Sequence, residues 1–136
     1  MSPKSNRADP KDHFKIRVLL LDDNQAFLRV ANTFLRRQHE LTVVGATCGV
    51  EEALIRVQDL QPQVILIGLD RPGLEAISRL RKALPGAGII ALSLLEGNTY
   101  REAALAAGAD DLIRKEELTT ELLPAIRRVM GAKRSR

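Results

Sequence analysis

A chain of 136 residues has room for one domain with a real core, and 45% hydrophobic with 28% charged residues is the balance of an ordinary soluble globular protein. No apolar run reaches the roughly 18 residues of a membrane span, residues 1–15 lack the apolar centre of a signal peptide, and a cytoplasmic protein is expected. Cys48 is the only cysteine, which excludes an intramolecular disulfide and a cysteine-based zinc site. The formal charge of +4 is confined to the ends: residues 1–15 carry +2 and the last six carry +3, leaving about −1 for residues 16–130. Tails of this kind are solvated ends more often than binding devices, and with no helix-turn-helix or aromatic-rich surface beside them, nucleic-acid binding is not expected.

The first predicted element is Ile16-Arg17-Val18-Leu19-Leu20-Leu21, a near-continuous apolar run typical of a central parallel strand covered on both faces. It ends at Asp22-Asp23-Asn24, and Phe27, Leu28, Ala31, Phe34 and Leu35 then recur at helical spacing, with Asp23 or Asn24 as N-cap. Residues 42–46 read as a second strand and 50–60 as a helix stopped by Pro62. Val64-Ile65-Leu66-Ile67 is a third strand, closed by Gly68-Leu69-Asp70-Arg71-Pro72-Gly73; Leu74, Ile77, Leu80 and Leu84 mark the next helix. Residues 89–92 form a fourth strand, 99–107 a weak alanine-rich helix, and Leu112-Ile113 the centre of a short fifth strand. Thr119 or Thr120 caps a last helix, in which Pro124 is acceptable only in the first turn.

Five strand–helix units with short links imply a single α/β domain over residues 15–130, between basic tails at 1–14 and 131–136. Its expected form is a doubly wound five-stranded parallel sheet in the order 2-1-3-4-5, helices on both faces. Ligands of such sheets bind at the carboxyl ends of the strands, which directs attention to Asp22-Asp23, residues 68–72, Ser93 and Lys115.

Those places carry a resemblance. Leu20-Leu21-Asp22-Asp23-Asn24, Ile90-Ala91-Leu92-Ser93 and the run from Gly108-Ala109-Asp110 to Lys115 are similar to the acidic pair, hydroxyl position and lysine of response-regulator receiver domains. The resemblance covers about residues 15–130 and breaks at the third strand. Where the family has its phosphoaccepting aspartate followed by Leu-x-Met-Pro-Gly, this chain reads Gly68-Leu69-Asp70-Arg71-Pro72-Gly73, so Pro72-Gly73 sets Gly68 on the acceptor position. The family's relay aromatic, three residues before its lysine, falls on Leu112.

The resemblance implies a two-component signalling module, not an enzyme, and the gap at Gly68 implies one that is atypical and phosphorylation-independent. Phosphotransfer needs a nucleophilic oxygen and a charge-neutralising metal, and glycine supplies neither. The expected remnant is an acidic pocket of Asp22, Asp23, Asp70, Ser93 and Lys115. Its direct metal ligands would be Asp23 and the carbonyl of Asp70, with Asp22 acting through water; no cofactor is required, and magnesium binding is expected to be weak or absent. Two alternatives stay open: phosphorylation on Asp70, which as residue i+2 could share a strand face with 68, and a flavodoxin-like small-ligand binder or enzyme using Asp22, Asp23 and Lys115. Blander readings also exist: Asp22-Asp23 as helix-cap chemistry, Ser93 as a polar strand end, Lys115 as a surface lysine. With only six residues after Met130, no DNA-binding output domain is expected. Output would be contact with a protein partner or a second copy through the face of the fourth helix, fifth strand and fifth helix, including Tyr100, Arg101, Arg114 and Arg127. Cys48 reads as a filler or loop thiol, and His13 and His39 as exposed.

Overall fold

The computed structural model describes residues 15–68, 73–94 and 98–134, except the side chains of Asn98, Thr99 and Arg134. The expected N-terminal tail, His13 and Asp70 lie outside the described residues. Strand β1 (Ile16–Leu21) is buried from Val18 onward. Its alternate side chains feed two cores, Val18 and Leu20 on one face and Leu19 and Leu21 on the other, as a two-sided parallel strand requires. Asn24 caps α1 (Gln25–Arg36), its side chain accepting the Phe27 N–H at 3.0 Å.

Then follow β2 (Leu41–Thr47), α2 (Val50–Leu60), β3 (Val64–Gly68), α3 (Gly73–Ala83), β4 (Gly88–Ser93), α4 (Asn98–Ala107) and β5 (Asp111–Arg114). The five strands are parallel, in the order β2-β1-β3-β4-β5. This is the doubly wound arrangement expected, and it brings the ends of β1, β3, β4 and β5 to one edge.

The last helix departs from expectation. The chain leaves β5 through a 3-10 turn (Lys115–Glu117), and α5 (Leu118–Arg134) starts directly from it. Thr119 and Thr120 therefore lie inside the first turn and do not cap the helix. Pro124 sits one turn further in, not in the first turn, at the cost of one helical hydrogen bond. Most of the expected C-terminal tail is helical too. The final turn of α5 is tied to the domain by Lys133, whose ammonium lies 3.3 Å from Asp110.

Asp110 belongs to a wider clasp that the sequence did not announce. Gly108 ends α4 with φ at +125°, a conformation that side chains rarely adopt. Its carbonyl accepts two Arg81 N–H bonds, at 3.0 and 2.8 Å. The same guanidinium donates to the carbonyls of Pro85 and Ala87 and to the Asp110 carboxylate, which also accepts the Ile89 N–H at 2.9 Å. One side chain of α3 thus holds together the approaches to β4 and β5.

Leu66, fully buried at the centre of the sheet, should cost about 2–5 kcal/mol when changed to alanine, measured by urea unfolding. Arg81→Ala strips several charge-assisted hydrogen bonds at once and should cost roughly 3 kcal/mol in the same assay; a loss under about 1 kcal/mol would mean that the clasp is surface decoration.

Candidate functional site

Asp22 follows the last residue of β1, and its backbone N–H continues the sheet by donating to the Thr47 carbonyl at 3.1 Å. Its carboxylate is held from two sides. Oδ1 accepts the Asn24 N–H at 2.8 Å, closing the tight turn into α1. Oδ2 lies 2.7 Å from the Lys115 ammonium, with side-chain exposures of only 0% and 4% for the two residues. The contact is ionic, since Oδ2 accepts no aligned hydrogen bond. Lys115 opens the turn after β5, and its Nζ stands 4.4 Å from the centroid of the Phe27 ring, within cation–π range. Removing one member of a buried pair leaves an uncompensated charge, at about 3–5 kcal/mol.

Gly68 completes the group at the end of β3. A Cβ built there would lie 2.1 Å from Asp22 Oδ2 and 2.5 Å from its Cγ. The Asp22 carboxylate therefore occupies the space in which a side chain at 68 would begin. Ser93 ends β4, buried and in register with Arg114 of β5. Asp23 is exposed. Of the two readings of Lys115, a surface lysine or a partner of the acidic residues, the structure has the second: it is buried against Asp22 and Phe27 because it leaves β5 toward the ends of β1 and β3. Helix-entry chemistry is only part of what Asp22 does: Asn24 makes the cap, and the Asp22 carboxylate also faces Lys115.

Beside Gly68 opens a cleft of about 180 Å³, lined by Asp22, Asp23, Cys48, Val50, Gly68 and Ala76 among others. Small-ligand sites run to roughly 300–1,000 Å³. Cys48, half-buried, contributes to the wall. Among the described residues, no group of three or more His, Cys, Asp or Glu side chains could hold a metal ion.

The proposed partner face is divided by the geometry. Tyr100 and Leu105 on α4 are each 38% exposed. Arg101 reaches Asp111 at 3.2 Å, which Arg128 of α5 also contacts at 2.9 Å. Arg114 pairs with Glu116. Arg127 does not belong there: it turns the other way along α5 and donates to Glu40, just before β2, at 3.1 Å. That hydrogen bond, with the charge of Arg127 acting in the same direction, holds the Glu40 carboxyl below the ordinary glutamate range against the opposing effect of burial. Leu112 is half-buried, its carbonyl accepting from Arg101, and His39 is exposed.

Comparison with known proteins agrees with the fold. Over 110 residues the chain is 36% identical to a protein-glutamate methylesterase/protein-glutamine glutaminase of group 3 operon from Rhodopseudomonas palustris, covering 78% of this chain and 30% of that protein. It is 31% identical over 122 residues to response regulator GacA from Pseudomonas protegens, covering 88% and 57%. The chain thus spans less than two thirds of the length of these curated relatives. Among solved structures, the response regulator domain of Thermotoga maritima CheB superposes with a TM-score of 0.75 at 31% identity, over 86% of this chain and 97% of that one. A Salmonella typhimurium RcsB response regulator gives 0.79 at 19% identity, over 88% and 61%, a likeness of fold alone. The response regulator receiver domain matches residues 18–127, and the chain belongs to that family.

Proposed function

We propose that this receiver domain acts in two-component signalling without being phosphorylated, and that its output is contact with a protein partner rather than turnover. The observation that carries the reading is the state of the β3 end. Residue 68 has no nucleophilic oxygen, and the carboxylate that lies against it, Asp22, is buried and committed to Lys115 and the Asn24 N–H. A phosphoryl group arriving there would meet no acceptor side chain on residue 68, and an Asp22 carboxylate already paired with Lys115.

Several further features support an interaction module. The cleft is small for a substrate or cofactor, and no cofactor is required in this reading. The face of α4, β5 and α5 offers Tyr100, Leu105 and the Arg101–Asp111–Arg128 cluster to a partner or to a second copy of the chain. Among the described residues no helix is long and apolar enough to cross a membrane, which fits a cytoplasmic place of action. The esterase and glutaminase activities named for the Rhodopseudomonas palustris protein are not transferred, because this chain spans 30% of its length.

Incubation of the whole chain with a small acyl phosphate and magnesium, followed by intact-mass measurement, tests the reading. No gain of a phosphoryl mass is expected. A stoichiometric adduct, whether abolished by Asp70→Asn or carried by another residue, would overturn it.

A further inference from the structure

Receiver chemistry calls for a divalent cation at the strand ends, and the described residues do not fit one. Magnesium wants about six oxygens in near-octahedral array and takes its protein ligands largely from carboxylates. Here both oxygens of Asp22 are already used, by Lys115 at 2.7 Å and by the Asn24 N–H at 2.8 Å. Gly68 adds no oxygen from a side chain, and among the described residues no acidic cluster of three exists.

We propose that Lys115 is the resident cation of this site, standing in for the metal, and that Gly68 is the residue that makes this possible. The ammonium neutralises Asp22 and sits over the Phe27 ring, whose face attracts a desolvated ammonium and offers no oxygen ligand to a divalent ion. Asp22 in turn comes within 2.1 Å of where a Cβ at 68 would be, closer than any real contact, with Lys115 behind it. Glycine at 68 and the inward turn of Asp22 are therefore reciprocal. A side chain at 68 must push Asp22 off, and with it the partner of a buried lysine. The folded state is metal-independent because its positive charge is covalently part of the chain. This rests on the same site as the phosphorylation-independent reading, but not on the same readout.

Thermal unfolding of the full chain, with and without millimolar magnesium chloride, tests it in the wild type, Gly68→Ala and Gly68→Asp. The wild-type midpoint should be the same in both buffers. Gly68→Ala should melt several degrees lower in both, since it evicts Asp22 and supplies no ligand. Gly68→Asp should also melt lower without magnesium and recover with it, because two displaced carboxylates can then share the ion. A wild-type midpoint that rises with magnesium, or a Gly68→Ala midpoint equal to that of the wild type, would overturn the proposal. Should the variants fail to fold, the wild type still decides. Magnesium titration followed at the amides of Asp22, Asp23 and Phe27 should show no saturable shift, and a saturable one would overturn the proposal. A phosphoryl adduct on the wild type without magnesium-dependent stability would defeat the phosphorylation-independent reading and leave this one standing.

Discussion

The contact between Asp22 and Lys115 is the point on which the functional edge of this domain is organised. It joins the end of β1 to the end of β5 across β3 and β4, and it does so where residue 68 has no side chain. Buried ion pairs gain little net stability over an apolar pair, but breaking one by removing a partner is expensive. The pair therefore acts as a constraint. Any change at 22, 68 or 115 has to be absorbed by the other two.

That constraint fixes the arrangement of the strand ends around Gly68 within a familiar layout. The parallel sheet delivers its strand ends to one edge, as doubly wound folds do. Of the acidic turn after β1, Asp22 anchors the turn and the lysine and Asn24 caps α1, while Asp23 faces the cleft. What reaches the surface is a small cleft with the half-buried thiol of Cys48 in its wall. On the outer face, the Arg101–Asp111–Arg128 cluster ties α4, β5 and α5 together.

Much of the fold could be read from the chain, because strands covered on both faces write themselves as unbroken apolar runs, such as Val18 to Leu21 and Val64 to Ile67. Strand ends directed attention to Asp22, residues 68–72, Ser93 and Lys115, and the receiver resemblance singled out Gly68. Other features depend on contacts that no local pattern records. Arg81 binds Gly108 and Asp110, 27 and 29 residues away. The helical residues 131–134 include Lys133, which meets Asp110, ahead of β5 in the chain. At Gly68 the letter reads as a loss; only the fold reveals that the carboxylate of Asp22, just after β1, lies in the space.

The most direct test of the central claim is an amide NMR spectrum of the wild-type chain titrated with beryllium fluoride and magnesium, a mimic of the phosphorylated state. The account predicts that the resonances of Asp22, Gly68, Ser93 and Lys115 stay where they are. Saturable shifts at those residues, spreading to α4 and β5, would mean that the pair opens and that the domain is a working phosphoryl switch after all.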